Sequence, residues 1–159
     1  MQLMDSINYM AQKYQMPVIY STHPRSRKFI EQRHFQFHPL VRSLPPFGLF
    51  DYNHLQMNSL VVLSDSGTLS EESAMLGFCG VLIRTSTERP EVLDKGTVVI
   101  GGITQKSVEQ AAELAIAMQR AGEPRAMPAD YEDTNVSVKV VKLIQSYTPI
   151  VNQTVWLKR

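Results

Sequence analysis

Cysteine is almost absent from this sequence, which holds a single one, Cys79, in 159 residues. A lone cysteine excludes an internal disulfide, and the apolar neighbours of Cys79 predict a buried thiol rather than a reactive one. Cysteine and histidine residues also do not occur at the spacings that metal sites use. We therefore expect neither a metal nor another cofactor.

Long apolar runs and a strong charge of either sign are missing as well. The uninterrupted apolar stretches are only a few residues long, whereas a membrane span needs about 20. The formal net charge of +1 creates no overall field that would attract nucleic acid or an anionic membrane. The first residues lack the basic segment and apolar core of a secretory signal. The sequence thus predicts a cytoplasmic protein with no nucleic-acid or membrane partner, in which anions are bound only locally.

Short apolar runs alternate with segments of helical period along the chain. Four runs have strand length and are apolar on both faces, as buried parallel strands are: residues 16–20, 60–64, 80–83 and 97–100. Residues 37–44 form a weaker fifth candidate, because Pro39 would remove a ladder donor there. Apolar residues that recur every three to four positions predict helices through residues 3–14, 108–118 and 136–147.

This alternation predicts an α/β fold, in which an open parallel sheet carries helices on both faces. The length suffices for one domain with a full core. A doubly wound domain usually begins with a strand, whereas this chain begins with an amphipathic helix. We therefore expect a domain cut from a longer protein, and the alternative is a natural short protein with an N-terminal helix.

The most informative segment is SDSGTLSEE, residues 64–72, which follows the strongest strand signal and opens a helix. A strand-to-helix turn with serine and glycine presents N–H groups at the positive end of a helix, as phosphate sites do. Gly67 lets the backbone approach a ligand, and the Ser66 hydroxyl can add a hydrogen bond. The alternative is simple capping by Asp65 or Ser66. The local pattern alone favours neither.

Two adjacent glutamates of this segment are expected to point in different directions. At helical spacing Glu72 lies three residues after Leu69 and four before Leu76, which places it on the apolar, inward face. An inward carboxylate needs partners, because an unpaired buried charge is costly. Two adjacent ribose hydroxyls could supply two donors to it. Glu71 is expected to face solvent as ordinary surface charge.

Two further loops carry cations directly after predicted strands. The run STHPRSRK, residues 21–28, includes His23 and Arg25 and suits a pyrophosphate. The alternative is a solvated basic first turn, although cations oppose the dipole at a helix N-terminus. The run RTSTERPE, residues 84–91, includes Arg84 and Arg89. Because open α/β sheets bind ligands at the carboxyl ends of their strands, the three loops together predict one anion-binding edge.

In this order and at this spacing, SDSGTLSEE and RTSTERPE, with STHPRSR upstream, resemble the non-hydrolysing UDP-N-acetylglucosamine 2-epimerases. The resemblance covers essentially the whole chain, residues 1–159, as the C-terminal UDP-binding domain of a larger enzyme. It implies a Rossmann-like doubly wound parallel sheet that forms one half of a GT-B arrangement. STHPRSR and the tail from Asn135 onward look more like the branch that serves capsule and O-antigen synthesis and forms UDP-N-acetyl-L-fucosamine.

The resemblance also implies roles at the uridine end of the ligand. It assigns phosphate contacts to Ser66 and Gly67, and the ribose hydroxyls to Glu72. Tyr52 aligns with an aromatic residue near the uracil, at a position where Phe is commoner in the family.

At the leaving-group end the resemblance assigns His23, Arg25 and Arg89 to the diphosphate. His23 is the candidate catalytic residue, because a group beside the departing diphosphate would stabilise the charge that develops there. The implied reaction removes the C2 proton, expels UDP from C1, and reverses both steps after inversion at C2.

The family's acidic residues that handle the C2 proton belong to an N-terminal domain, and nothing in this sequence corresponds to it. The expected partners are therefore a UDP-sugar substrate, the missing N-terminal domain and, in the full-length enzyme, a second copy in a homodimer. The nucleotide-sugar half of a GT-B glycosyltransferase is the alternative function, since that class also places a carboxylate on the ribose. A stand-alone nucleotide-binding module is a third.

Overall fold

The computed structural model describes residues 2–158, which fall into two compact units with a boundary between Pro128 and Ala129. In the described part of the first unit, helices and strands alternate strictly along the chain. Their bounds are α1 Gln2–Tyr14, β1 Val18–Ser21, α2 Pro24–Gln32, β2 Val41–Leu44, α3 Leu49–Met57, β3 Val62–Ser64, α4 Leu69–Leu76, β4 Gly80–Leu82, α5 Pro90–Asp94, β5 Val98–Ile100 and α6 Gln105–Ala121. The α/β prediction is confirmed, including the weaker strand candidate, which is β2.

All the strand pairs are parallel, and their ladders form two groups. β1 pairs with β2 from Val18↔Val41 to Ser21↔Leu44, while β4 pairs with β3 on one side and β5 on the other. The sequence predicted one open sheet, and the hydrogen bonds instead define a two-stranded and a three-stranded group. Within each group the parallel strands end at one edge, so the loops that follow them share that edge.

Two apolar clusters hold the first unit together. One consists of the buried residues Cys79, Val81, Ala111 and Ala115, packed against partly buried side chains of β3 and β5. The other joins Ile7 and Ala11 of α1 to Val41 of β2. The predicted stripes of α1 and α6 therefore do face the interior. Burial also raises the pKa of the Cys79 thiol, as expected for an unreactive cysteine.

The second unit contains a short 3₁₀ turn, Ala129–Tyr131, and the 19-residue helix α7, Val136–Thr154. The helix was predicted, but its apolar stripe is not buried. Val136, Val140, Leu143 and Tyr147 are between 46% and 57% exposed. Trp156, just beyond this helix, is 65% exposed. Within residues 2–158, no helix combines the length and apolar character required to cross a membrane.

Candidate functional site

The turn between β3 and α4 is built around serine side chains. The Ser66 N–H donates to Ser64 Oγ at 3.1 Å, and Ser66 Oγ accepts from the Thr68 N–H at 3.3 Å. Thr68 holds the N-cap position, two residues after Ser66 and three after Asp65, the two caps considered from the sequence, and its side chain makes no capping hydrogen bond. The turn therefore leads the backbone N–H groups of a helix N-terminus to the carboxyl edge of β3, as predicted.

The immediate surroundings of Gly67 do not require a glycine in this turn. A Cβ added to Gly67 would meet no atom within 4 Å. Its φ is also outside the left-handed region that favours glycine. Neither packing nor backbone conformation within the described residues thus requires glycine here. The space over Gly67 is therefore open, as a close approach by an anion at a helix N-terminus would require.

Glu72 is partly buried and has a protein partner. Its Oε2 accepts a hydrogen bond of 2.7 Å from Nε2 of Gln56, a side chain on α3 that is only 3% exposed. The prediction that Glu72 faces inward is confirmed. Gln56 was not predicted as a site residue from the sequence. The available signal was its position four residues after Tyr52, which places both side chains on one face of the helix.

Glu71 does not face solvent, and that expectation is wrong. Its side chain is 27% exposed, and its Oε1 accepts from Arg89 Nε at 2.7 Å. Its Oε2 is buried and accepts no hydrogen bond from the described residues. The reason is that Arg89, at the N-cap position of α5, reaches the face of α4 that the helical period had assigned to water. This ion pair joins the loop after β3 to the loop after β4.

Arg84, the other arginine of the loop after β4, is paired with a glutamate of the same loop. Arg84 forms two parallel hydrogen bonds to the Glu88 carboxylate, at 2.8 and 3.1 Å. This guanidinium lowers the pKa of the Glu88 carboxyl. The cations predicted along this edge are therefore both held by glutamates, with Arg89 paired to α4 and Arg84 paired within its own loop.

Tyr52 lies beside the carboxylates at the start of α4. It is half-buried on α3, and its pKa is raised first by that burial and then by the negative charges of Glu72 and Asp65. A side-chain interaction with Ser64 acts in the opposite direction. Tyr52, Glu72 and the turn after β3 thus form one continuous group at the edge of the three-stranded sheet.

His23 and Arg25 lie at the carboxyl end of β1, in the two-stranded group. His23 is the N-cap of α2, and its Nδ1 accepts from the Arg25 N–H at 3.2 Å. The neutral ring therefore carries its proton on Nε2. Both side chains are exposed. A cleft of about 290 Å³ lies beside them, lined by Thr22, Pro24, Arg27, Lys28, Glu31, Pro45 and Pro46.

The site residues thus fall into a connected part and a separate part. The contacts described connect Tyr52, Glu72 and Arg89 to the turn that holds Ser66 and Gly67, while His23 and Arg25 lie on the loop after β1. Among the described residues, no group of three or more His, Cys, Asp or Glu side chains is placed to hold a metal ion. The donors and cations present suit an anionic organic ligand.

Several known proteins are similar to this chain. A family model described as UDP-N-acetylglucosamine 2-epimerase matches residues 1–145. A protein of that name from Methanococcus maripaludis is 29% identical over 122 residues, which cover 74% of this chain and 33% of the relative. The solved UDP-N-acetylglucosamine 2-epimerase from Rickettsia bellii superposes with a TM-score of 0.80 at 33% identity, covering 99% of this chain and 43% of that one.

A second solved structure was determined with a ligand. It is a UDP-GlcNAc 2-epimerase from Neisseria meningitidis bound to UDP-GlcNAc, with a TM-score of 0.69 and 27% identity, and the match covers 91% of this chain and 40% of that one. The chain therefore spans about one third to two fifths of the length of the relatives that it matches.

Proposed function

This chain belongs to the UDP-N-acetylglucosamine 2-epimerase family, and from that premise we propose that it is the UDP-binding domain of a UDP-N-acetylhexosamine 2-epimerase. The observation that carries the proposal is the group formed by Tyr52, Glu72 and the turn at Gly67. An aromatic ring, an inward carboxylate and a helix N-terminus occur together in that group. UDP carries one matching moiety for each of them: a uracil, a ribose and a diphosphate.

Each part of UDP meets a chemically suited group in this arrangement. Tyr52 offers a ring face to the uracil, and the Glu72 carboxylate accepts from the ribose hydroxyls in charge-assisted hydrogen bonds. The α4 N-terminus, with Ser66 and the open face over Gly67, receives phosphate oxygens. Arg89, oriented by Glu71, adds a positive charge next to that turn. His23 and Arg25 would approach the diphosphate from the loop after β1.

The reaction is an elimination followed by its reverse with the opposite stereochemistry at C2. A base takes the C2 proton, the C2–H electron pair forms the C1–C2 double bond, and the C1–O bond breaks with its electrons on UDP. Protonation of C2 from the other face and attack of the UDP oxygen on C1 complete the inversion. We assign this chain the second task, in which His23 and the arginines stabilise the charge on the departing diphosphate.

The base at C2 belongs, on this proposal, to an N-terminal domain of the same enzyme. The support is that the matched relatives are more than twice as long as this chain. The two domains would form a GT-B arrangement with the sugar between them. The apolar exposed side chains of α7 suit such a larger assembly. A homodimer of the full-length enzyme is part of the same proposal.

The sugar and the cellular setting are finer proposals. STHPRSR and the tail from Asn135 support a role in capsular or O-antigen precursor synthesis, with UDP-N-acetyl-L-fucosamine as a product. A cytoplasmic location stays a prediction from the sequence.

The test supplies the missing half. The chain is produced together with the N-terminal domain of a related 2-epimerase, and the products from a UDP-N-acetylhexosamine are analysed by NMR. We expect the 2-epimer, with solvent deuterium incorporated at C2. A glycoside formed with an added acceptor, without deuterium at C2, would overturn the proposal in favour of a GT-B glycosyltransferase.

A further inference from the structure

The buried amide of Gln56 is the feature of this region that the proposed function leaves unexplained. Gln56 is the residue of α3 that the fold buries, with 3% of its surface exposed. A glutamine is an expensive choice for such a position, because a buried amide without partners costs stability. Its Oε1 is indeed buried without a hydrogen-bond partner among the described residues. A reason other than packing must account for the amide.

The hydrogen bond of Gln56 identifies that reason. Its Nε2 lies 2.7 Å from Glu72 Oε2. An ionised carboxylate can only accept, so the amide must present its N–H₂ group to Glu72 and turn its carbonyl away. The orientation of the amide is thereby fixed, and the orphaned Oε1 follows from it. A charge-assisted bond of this length holds the carboxylate in one rotamer.

We propose that Gln56 is a positioning residue, which fixes the Glu72 carboxylate so that its second oxygen is aimed at the ribose hydroxyls of UDP. The inference rests on the proposed function, since it takes Glu72 as the ribose acceptor. Gln56 does not touch the ligand, because it is buried behind the carboxylate. Its effect passes through Glu72 alone.

The position of Gln56 on its helix supports this role. It lies four residues after Tyr52, so the two side chains share one face of α3. Gln56 contacts Glu72 directly, and burial together with the negative charge of Glu72 raises the pKa of Tyr52. α3 thus carries the group proposed for the uracil and the group that orients the ribose acceptor one turn apart. A rotation of the Glu72 side chain would therefore move the ribose acceptor out of its position relative to Tyr52.

The experiment compares two ligands that differ only at the ribose. Binding of UDP and of 2′,3′-dideoxy-UDP is measured by calorimetry for the unchanged chain, Gln56→Leu, Glu72→Gln and the double variant. We expect Gln56→Leu to weaken UDP about tenfold and to leave dideoxy-UDP within about twofold. The double variant is expected to bind UDP no more weakly than Glu72→Gln, because both changes remove the same interaction.

Controls separate positioning from folding. Gln12→Leu makes the same chemical change at an exposed position of α1, and it is expected to bind both ligands normally. If Gln56→Leu does not fold, Gln56→Met, which is unbranched and of similar length, takes its place.

Three results would contradict the inference, and they point to different errors. Equal weakening of UDP and dideoxy-UDP by Gln56→Leu would assign Gln56 a purely structural role. No weakening of either ligand, with UDP still weakened by Glu72→Gln, would overturn the positioning role and leave the proposed function intact. No weakening of UDP by Glu72→Gln would overturn the ribose role of Glu72 itself, and the inference with it.

Discussion

The two strand groups of the first unit hold their polar loop residues in different ways. Beyond β3 and β4, several charged side chains are held by partners within the protein: Glu71 pairs with Arg89, Glu72 with Gln56, and Arg84 with Glu88. Beyond β1, by contrast, His23 and Arg25 are exposed, and none of the ion pairs within residues 2–158 includes Arg25, Arg27 or Lys28.

This difference suggests a division of labour. Paired side chains are held in place before a ligand arrives, so little conformational entropy is lost when they bind it. Exposed long cations lose more rotamer freedom on binding, but their charge is not shared with a carboxylate of the described residues, whereas Arg89 is held in place by Glu71. The three-stranded group therefore suits precise recognition of the nucleoside, and the loop after β1 suits attraction of the diphosphate.

The largest expected effect is the complete absence of proton exchange at C2 when this chain acts alone. On the proposed function, both regions help to stabilise a departing diphosphate, and the base at C2 comes from the N-terminal domain. We expect this chain alone to catalyse no hydrogen exchange between solvent and C2 of a UDP-N-acetylhexosamine, measured by NMR in D₂O. Holding both groups in one cleft contributes about 7–11 kcal/mol to such a reaction. Exchange that His23→Ala abolishes would place a complete base and acid set within these residues.

The next effect is at the recognition end of the three-stranded group. Glu72→Gln removes the charge that accepts from two ribose hydroxyls, which contributes about 1.5–3 kcal/mol. UDP affinity is therefore expected to fall at least tenfold, measured by calorimetry. Glu123→Gln makes the same change on an exposed residue and is expected to alter nothing. Equal losses from the two variants would remove the ribose role, and thermal unfolding of both checks that folding is preserved.

A third prediction separates the cap from the chemistry at His23. His23→Ala removes the acceptor of the Arg25 N–H and is expected to cost about 1 kcal/mol of unfolding free energy. His23→Asn keeps an N-cap acceptor, so denaturant unfolding is expected to match the unchanged chain, while activity in the reconstituted enzyme stays low. Full activity of the His23→Asn variant would show that His23 serves only as a helix cap. The loop after β1 would then lose the chemical role that distinguishes it from the three-stranded group.

The smallest effect tests the ion pair that joins the loops after β3 and β4. Glu71→Gln frees Arg89 from a partly exposed pair, which is worth about 0.5–1 kcal/mol. UDP affinity is expected to fall about two- to fivefold, because Arg89 is no longer oriented toward the diphosphate. Uridine, which lacks phosphates, is expected to bind equally well to both proteins. A matching loss for uridine would show that Glu71 acts on the nucleoside instead.

Much of the fold could be predicted from the sequence, because the apolar runs are short and bounded by polar loops. Every predicted strand exists, as do the three predicted helices, which are α1, α6 and α7. The division into two ladder groups could not be predicted, because hydrogen bonding between strands distant in sequence leaves no local pattern. The exposure of the apolar stripe of α7 could not be predicted either. Its apolar spacing specifies a helix, but spacing does not say what covers the helix.

Only part of the candidate site could be predicted, because some of its side chains are held by residues that are distant in the sequence. Helical period placed Glu72 inward correctly, since the partners of that face lie in the same short helix and in α3. The same period placed Glu71 outward wrongly, because Arg89 arrives from a loop 18 residues away. Gln56 was missed because a single glutamine carries no signal until its carboxylate partner is known.

The most direct test of the account is a map of where UDP binds. Amide and side-chain chemical shifts of the ¹⁵N-labelled chain are followed as UDP is added. We expect the largest changes in the turn at Ser66 and Gly67, at Glu72, at the Arg89 Nε–H and at the start of α2. Changes confined to α7 and the Trp156 indole, with the turn after β3 unaffected, would contradict the central claim that UDP binds at the carboxyl ends of the strands.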